Sequence, residues 1–291
     1  MNKTAAVVVT YNRKALLAQC LMHLLEQTAP VDILVIDNAS TDGTCEMFAD
    51  VPESVHYFNT GANLGGAGGF NYGMRKAVEL GYEYVWVMDD DSLPEPTAHG
   101  ELLCADARYG VNYGWLSSQT LWTDGTPCSM NIQKLTKWSK LRDFGMEQKA
   151  QYASFVSLFL RAQTIREFGL PYKEFFIWGD DWEFTRRISK RLACYYVPAS
   201  KVTHACKDNN GSDIVCASAD KLGRHEYSYR NDVVIYRQDG VSGYLFLLIR
   251  AGVHSAKILI KAQNKGAKLK LMFSSLRRGL RFRPQVEYTE R

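Results

Sequence analysis

The amino-acid sequence predicts an α/β protein with a mostly parallel central sheet and helices on both faces of that sheet. Short apolar segments alternate with helical patterns over residues 5–88, which is the rhythm of a parallel sheet. Polar residues recur where the apolar segments end, and open sheets of this class bind ligands at those strand ends. The chain has 291 residues, 46% of them hydrophobic, so its core needs neither disulfides nor a structural metal.

The N-terminal part supplies four predicted strands and two predicted helices. A helix follows the first strand, because leucines recur there on one helical face. Residues 59–69 contain five glycines and predict a loop, and a helix is predicted over about 70–80. The predicted strands cover residues 5–10, 33–36, 55–58 and 84–88.

The C-terminal part has a less regular pattern. Residues 111–152 contain tryptophans among polar and basic residues, and we predict a long loop there. Regular patterns return after this region. The predicted elements are a strand at 155–160, a helix at 182–190, a strand at 193–197 and a segment at 200–204 that follows Pro198.

The seven cysteines are scattered, and none is spaced as Cys-x-x-Cys. Their odd number and their spacing argue against a disulfide framework or a zinc ribbon and favour a reducing compartment. The N-terminal sequence enters the first strand without the apolar stretch and cleavage site of a signal peptide. We therefore expect a cytoplasmic protein.

Three consecutive carboxylates, Asp89, Asp90 and Asp91, follow the fourth predicted strand directly. Adjacent carboxylates repel one another, and burial at the end of a strand adds a desolvation cost. A divalent cation removes both costs, because hard cations bind carboxylate oxygens and bridge them to phosphate oxygens. The alternative is a solvated loop with three exposed aspartates. The position at a strand end favours the metal site.

A second acidic pair, Asp180 and Asp181, lies among aromatic residues. Burial against aromatic rings raises the pKa of a carboxylate and makes it a better proton acceptor near neutral pH. The same pair also suits a helix N-terminus, where a carboxylate caps backbone N–H groups. Both interpretations can hold together. His204 follows a predicted strand and is either a structural histidine or a third metal ligand.

Five segments with distinctive patterns follow one another along the chain: VVTYNR at 8–13, IDNASTDGT at 36–44, NLGG at 63–66, MDDD at 88–91 and FIWGDDWEF at 176–184. Together they resemble the inverting family 2 glycosyltransferases with the GT-A fold, over about residues 5–237. The last segment resembles the catalytic-base motif of the branch that contains galactofuranosyltransferases and rhamnosyltransferases. Gly179 departs from that motif, since it separates Trp178 from Asp180 and Asp181 and leaves open which aspartate is the base.

The resemblance implies a nucleotide-sugar site at the strand ends. Asp37 would face the uracil or the ribose, and Asp90 would face the ribose or the sugar of the donor. The implied nucleotide-sugar-binding residues are Thr10, Asn12, Arg13, Asp37, Asn63, Gly65 and Asp90.

The resemblance also implies a metal ion and a catalytic base. Mn²⁺ or Mg²⁺ would hold the diphosphate of the donor, and its implied ligands are Asp89, Asp91 and His204. Asp181, or alternatively Asp180, would deprotonate the hydroxyl of the acceptor, so that its attack inverts the anomeric carbon. The residues expected to contact the acceptor are Trp178 and Trp182.

The resemblance therefore implies a glycosyltransferase that takes its sugar, with galactofuranose as the first choice, from a UDP-sugar donor. Its acceptor would be a hydroxyl of a growing glycan or a lipid-linked acceptor in bacterial surface polysaccharide synthesis. One alternative is a rhamnosyltransferase that uses a dTDP-sugar, and another is a non-catalytic carbohydrate-binding or assembly protein. A nucleotidyltransferase would need a basic, glycine-rich triphosphate loop after the first strand, and the sequence after Thr10 lacks one.

The C-terminal segment is strongly basic. The net charge of the chain is +4, but residues 257–291 contain ten Lys or Arg and two Glu, so this segment carries +8 and the rest of the chain −4. Its basic residues alternate with apolar ones, which suits a helix lying on an anionic membrane surface. Arg250, His254 and Lys257 interrupt the preceding apolar stretch, so we do not expect it to span a membrane.

We therefore divide the chain into a GT-A catalytic domain at residues 1–240 and an amphipathic, basic helical tail at residues 241–291. The tail would place the protein peripherally at the inner face of the cell membrane. A helix packed on the protein body and a contact between copies in an oligomer are the alternatives for the tail. Nucleic-acid binding is not expected, because the sequence contains no recognisable nucleic-acid-binding module.

Overall fold

A mixed β-sheet forms the centre of the protein. The computed structural model describes residues 3–209, 211–218 and 222–289. The four strands predicted in the N-terminal part are all present within one or two residues of their predicted ends. The strands of the described residues are β1 (Thr4–Thr10), β2 (Asp32–Asp37), β3 (Val55–Asn59), β4 (Tyr84–Asp89), β5 (Ser92–Pro94), β6 (Tyr113–Trp122), β7 (Lys134–Thr136), β8 (Ser139–Lys140), β9 (Gln148–Lys149), β10 (Leu158–Arg161) and β11 (Ala193–His204).

The sheet topology brings several strand ends to one edge. The strand order is β3-β2-β1-β4-β10-β6-β11-β5, and β9 pairs with β11. β1 is parallel to β2 and β4, β2 to β3, and β6 to β11, whereas β10 is antiparallel to both of its neighbours. The carboxyl ends of β1, β2, β4 and β11 therefore face the same way. The last residues of these strands are Thr10, Asp37, Asp89 and His204.

Helices cover both faces of the sheet. In β1, Val7 and Val9 belong to one buried cluster, which includes residues of the helices at Gly65–Glu79, Ala162–Phe168 and Asp180–Ser189. Ala6 and Val8 belong to a second buried cluster, which includes residues of the helices at Lys14–Leu25 and Ala98–Tyr109. This alternation buries both faces of a parallel strand, as its continuous apolar sequence predicts. The helices of the described residues are α1 (Lys14–Leu25), α2 (Gly65–Glu79), α3 (Ala98–Tyr109), α4 (Ala162–Phe168), α5 (Asp180–Ser189), α6 (Arg224–Arg237), α7 (Val241–Lys261) and α8 (Lys265–Arg281), with 3₁₀ turns at Cys45–Phe48 and Lys173–Phe175.

Helix α2 begins at Gly65, five residues earlier than the sequence predicted, so the last five of the eleven residues of the expected glycine loop are helical. A Cβ atom on Gly69 would lie 2.5 Å from Val9 Cγ1, and one on Gly73 would lie 2.4 Å from Val7 Cγ1. The glycines therefore allow the helix backbone to lie directly against β1. Close helix–sheet packing, rather than turn formation, therefore accounts for Gly69 and Gly73.

The prediction of a long loop over residues 111–152 was wrong in part. Its first third forms β6, a ten-residue strand in the interior of the sheet.

Three smaller differences from the predicted elements follow further along the chain. The predicted strand at 155–160 forms at Leu158–Arg161, α5 begins at Asp180 rather than at residue 182, and the segments at 193–197 and 200–204 form one irregular strand, β11.

The C-terminal helices pack on one another and on the rest of the protein. Ile258 of α7 and Met272 of α8 share a buried cluster with Tyr229 of α6. After α8 the chain returns to α2, where Arg75 Nη2 lies 2.8 Å from Glu287 Oε2. The helical tail is therefore present, and part of its surface is covered by the protein body. Glu290 and Arg291, which belong to the predicted tail, lie outside the described residues.

Helix α7 leaves a broad apolar face in solvent. Among the described residues it is the one helix that is long and apolar enough to cross a bilayer. The charged residues that we expected to prevent a spanning segment do not break the helix. Its exposed apolar residues are Val241, Tyr244, Leu245, Leu248, Ile249, Val253, Leu259 and Ile260.

Candidate active site

The three consecutive aspartates at the end of β4 are held by side chains from β1 and from the start of α1. Thr10 Oγ1 donates to Asp90 Oδ2 at 2.7 Å. Arg13 Nη1 donates to Asp90 Oδ1 at 3.1 Å and to Asp91 Oδ2 at 2.8 Å. The side chains of Asp90 and Asp91 are only 5% and 6% exposed, so they do not form the solvated loop of the alternative interpretation.

Asp89, Asp91 and His204 converge on one point, and their potential ligand atoms lie within 4.8 Å of one another. Asp91 Oδ1 is 3.1 Å from His204 Nε2, yet among the described residues this buried oxygen has no hydrogen-bond partner. His204 Nδ1 lies 2.9 Å from Asn131 Oδ1, and Asn131 Nδ2 donates to Ser154 Oγ. A neutral His204 whose ring proton lies on Nδ1, where it can donate to Asn131 Oδ1, would keep its lone pair on Nε2. Lone pairs on Nε2 and on the orphaned oxygen suit a shared Mn²⁺ or Mg²⁺ ion.

The electrostatics of this cluster also favour a cation. Burial and the neighbouring Asp91 raise the pKa of Asp89 to about 7. Burial lowers the pKa of His204, but Asp91 and Cys128 raise it more strongly, to about 10. The cluster therefore draws positive charge, either as a proton on His204 or as a metal ion.

The predicted nucleotide-binding loops are tied to each other beside the aspartates. The Asn12 amide donates to Ser40 Oγ at 2.8 Å, and Asn12 Oδ1 accepts from the Thr41 amide at 2.7 Å. Asp37 is fully buried, and its two oxygens accept from the Ser40 amide and from the Tyr57 hydroxyl at 2.8 and 2.6 Å. These hydrogen bonds show that Asp37 stabilises its own loop, and any contact with a nucleotide would be additional to them.

Gly65 joins the start of α2 to the segment before α5. Its φ angle is +72°, and a Cβ atom there would lie 2.1 Å from the carbonyl oxygen of Phe176. The same carbonyl accepts from the Ala67 amide at 3.1 Å, and Asn63 Oδ1 accepts from the Gly65 amide at 2.9 Å. Only glycine fits this approach, which brings two distant sequence motifs into contact.

The segment that leads into α5 is strained and is held by an asparagine from α6. Phe176, Trp178 and Gly179 have φ angles of +63°, +65° and +86°. Positive φ is costly for aromatic residues and persists where surrounding contacts enforce it. Asn231 is fully buried, and its Nδ2 lies 3.1, 3.2 and 2.8 Å from the carbonyl oxygens of Phe175, Ile177 and Trp178.

The two aspartates of α5 have different surroundings. Burial and Asp181 raise the pKa of Asp180 to about 8. Burial also raises the pKa of Asp181 to about 7, with Asp89 raising it further and Lys134 lowering it. Asp181 thus interacts electrostatically with Asp89 of the Asp89, Asp91 and His204 cluster. The charges that act on Asp180 are those of Asp181 and Glu183 in α5 itself.

The expected capping by one of these aspartates was wrong, because α5 is capped by Gly179 without a side-chain hydrogen bond. Both aspartates nevertheless lie in the first turn of α5, where negative charge is favourable, and Asp181 Oδ1 accepts from the Trp182 amide at 2.7 Å.

Lys134 and Asn131 belong to the site but were not identified as site residues from the sequence. Lys134 is buried, its Nζ lies 3.1 Å from the centre of the Trp182 ring, and burial lowers its pKa to about 7. Both residues lie in the region that lacked a clear pattern, and no motif marked them. The indole ring of Trp178 contacts the ring of His225 edge-on, at 5.3 Å between ring centres.

The sequence and the fold match known proteins. The family model for glycosyl transferase family 2 matches residues 5–164. The galactofuranosyltransferase GlfT1 of Mycobacterium tuberculosis (strain ATCC 25618 / H37Rv) is 29% identical over 281 residues, which cover 84% of this chain and 89% of that protein. GlfT1 of Mycolicibacterium smegmatis is 26% identical over 293 residues, which cover 90% of this chain and 96% of that protein.

Solved structures share the same fold at low sequence identity. S. aureus TarS (residues 1–349) has a TM-score of 0.57 and 16% identity, covering 97% of this chain and 72% of its own. GalNAc-T7, described with UDP, GalNAc and Mn²⁺, has a TM-score of 0.62 and 14% identity, covering 96% of this chain and 56% of its own. The family match spans more than half of the chain, and the mostly parallel sheet with its C-terminal helices agrees with these structures. The chain therefore belongs to glycosyl transferase family 2 and has the GT-A fold.

Proposed function

We propose that the protein is a metal-dependent, inverting galactofuranosyltransferase. It would transfer galactofuranose from UDP-galactofuranose to a hydroxyl of a growing glycan or lipid-linked acceptor in bacterial surface polysaccharide synthesis. The observation that carries the reaction class is the convergence of Asp89, Asp91 and His204 at the sheet edge, with Asp181 of α5 close enough for the charge of Asp89 to raise its pKa. The choice of sugar rests on the two relatives, both named galactofuranosyltransferase, that match most of the chain.

A nucleotide diphosphate suits the polar edge of the sheet. Related folds have been solved with UDP, UDP-GlcNAc and, for GalNAc-T7, Mn²⁺, which supports a UDP-sugar donor. Asp89, Asp91 and His204 would hold Mn²⁺ or Mg²⁺, which stabilises negative charge on a leaving diphosphate when it is bound. Arg13 adds a positive charge beside this group, because its guanidinium bridges Asp90 Oδ1 and Asp91 Oδ2.

The acceptor hydroxyl needs a base on the opposite side of the donor sugar. Asp181 meets this need, because burial raises its pKa towards neutrality and so makes its carboxylate a stronger proton acceptor. Lys134, buried against Trp182, offsets part of the negative charge that Asp181 and Asp89 share. Trp182 then lies beside the base, where an apolar ring suits one face of an acceptor sugar.

UDP-galactofuranose should give Mn²⁺-dependent transfer to a lipid- or glycan-linked acceptor, measured by UDP release and by mass spectrometry of the product. UDP-galactopyranose is the matched donor control, and we expect its kcat/KM to be at least about 10-fold lower, since the pocket must discriminate ring size. Addition of EDTA should remove the activity, and Mn²⁺ should restore it.

Other outcomes of this donor screen select the alternatives. Faster transfer from dTDP-rhamnose would make the protein a rhamnosyltransferase. If no donor were transferred or hydrolysed at any metal concentration, the protein would be the non-catalytic carbohydrate-binding or assembly protein. The convergence of Asp89 and Asp91 with His204 argues against that last outcome.

We also propose that α7 and α8 bind the inner, cytoplasmic face of the membrane as a peripheral anchor. The apolar residues of α7 remain exposed even though the tail packs on α6, with Leu248 at 71% and Ile260 at 75% exposure. The basic residues of the same segment supply attraction to anionic lipid. An anchor of this kind would bring the active site to a lipid-linked acceptor.

The L248S/I260S double variant should float with phosphatidylglycerol vesicles at least about 10-fold less than the unmodified chain, since it removes two apolar side chains from the lipid-facing surface. Val111, a 73% exposed valine before β6, provides the matched control, and V111S should float normally. High salt should release the unmodified chain from the vesicles. Equal flotation of all three proteins would contradict the anchor, and resistance to both salt and alkaline carbonate would instead indicate a spanning α7.

A further inference from the structure

Two cysteines that are far apart in sequence, Cys128 and Cys206, lie close to each other and next to His204 of the Asp89, Asp91 and His204 cluster. Cys128 Sγ lies 4.0 Å from Cys206 Sγ and 3.7 Å from His204 Nδ1. The sulfur atoms and a ring nitrogen of His204 all lie within 4.8 Å of one another. Cys128 and His204 are buried, and Cys206 is half-buried, so the group is reachable from one side.

The distances agree with the ligand set of a tetrahedral thiophilic ion. Zinc bonds of about 2.3 Å to sulfur and about 2.0 Å to nitrogen require an S···S distance of about 3.8 Å and an S···N distance of about 3.6 Å. The separations of 4.0 and 3.7 Å are within a few tenths of an ångström of these values. Two thiolates and one imidazole form a set that zinc or cadmium prefers over manganese or magnesium.

We propose that Cys128, Cys206 and His204 Nδ1 form a binding site for a thiophilic divalent cation of the zinc class, and that this site competes with the Asp89–Asp91 cluster for His204. Binding would release the two thiol protons to solvent, and solvent or Asn131 Oδ1 would complete the shell. Asn131 Oδ1 now lies 2.9 Å from Nδ1, so this contact must be exchanged for the ion.

The competition follows from the chemistry of one imidazole ring. Neutral imidazole has one lone pair, so an ion on Nδ1 leaves the ring proton on Nε2. Nε2 can then no longer act as a ligand beside Asp91 Oδ1, which lies 3.1 Å away. Binding by the two cysteines stands independently of the enzyme's activity, whereas the inhibition that follows rests on the proposed function.

The binding arm of the test is a Cd²⁺ titration of the full chain under a non-thiol reductant, read by the ultraviolet thiolate-to-cadmium charge-transfer absorption. The unmodified chain should bind one equivalent tightly. C206S, which changes a half-buried residue and so preserves the core, should weaken Cd²⁺ binding at least about 100-fold, and C128S should do the same. C45S, at an exposed and distant cysteine, is the matched control and should titrate normally. A full absorption change in C206S and C128S would overturn the site.

The competition arm measures Mn²⁺ binding by electron paramagnetic resonance. One equivalent of Cd²⁺ should release the bound Mn²⁺ from the unmodified chain but not from C206S. Zn²⁺ should likewise inhibit sugar transfer at a concentration at least about 10-fold lower for the unmodified chain than for C206S. Equal Mn²⁺ release from both proteins would overturn the competition. A chain that binds Cd²⁺ at the cysteines but never binds Mn²⁺ would refute the proposed catalytic metal and leave the cysteine site standing.

Discussion

Replacement of Asp181 by asparagine should lower kcat by about a thousandfold, because the acceptor hydroxyl then has no base of suitable strength. The asparagine has almost the same shape, and its oxygen can still accept from the Trp182 amide, as Asp181 Oδ1 does at 2.7 Å. The fold and the affinity for UDP should therefore be unchanged. Steady-state transfer rates, a thermal melt and UDP binding by calorimetry measure the three quantities.

The matched control is Asp180→Asn on the same helical turn. Burial raises the pKa of Asp180 to about 8, so this side chain is largely protonated at neutral pH and an amide resembles its native state. We expect the loss of kcat in this variant to stay below about 10-fold. If Asp180→Asn lost more activity than Asp181→Asn, the assignment of the base would be reversed.

The acid side of the pH profile provides a second check on Asp181. A base must be deprotonated to accept a proton, and burial raises the pKa of Asp181 to about 7. The activity of the unmodified enzyme should therefore fall as the pH drops through about 7. This fall should be absent from the residual activity of Asp181→Asn, because asparagine does not titrate in this range.

Replacement of Asp91 by asparagine should reduce the affinity for Mn²⁺ by at least about 100-fold and abolish metal-dependent transfer. The change removes the buried oxygen that lies 3.1 Å from His204 Nε2 without a hydrogen-bond partner among the described residues. Binding of Mn²⁺ is measured by calorimetry or by paramagnetic resonance, independently of turnover.

Asp124 provides the matched control for this loss. Its carboxylate caps an exposed turn through the Thr126 amide at 2.9 Å, outside the cluster of Asp89, Asp91 and His204. Asp124→Asn should keep the full affinity for Mn²⁺. The metal assignment fails if Asp91→Asn and Asp124→Asn bind Mn²⁺ equally well.

The N-terminal half of the fold was predictable because its signals are local. β1, β2 and β4 are buried on both faces and form continuous apolar runs, whereas the edge strand β3 is only partly buried. All four strands lie where the sequence predicted them. The aspartate triplet follows β4 without a gap. Its position at a ligand-binding strand end therefore follows from the amino-acid sequence alone.

The glycines of α2 and the interior strand β6 were misassigned for a common reason. Glycine indicates a turn in isolation, whereas Gly69 and Gly73 serve to bring α2 against β1, a contact that depends on residues far along the chain. In β6, tryptophans stand among polar residues, and the strand forms because β10 and β11 pair with it. Tertiary packing overrode the local pattern in both cases.

By itself, the sequence determined the fold class, the family and the residue types at the active site, since these follow from local periodicity and from ordered motifs. Only the tertiary structure decided which distant side chains meet. It brought His204 to Asp91, Lys134 to Trp182, and Cys128 to Cys206, across separations of 113, 48 and 78 residues. The physical reason is that such contacts depend on strand order and loop path, which no short stretch of sequence encodes.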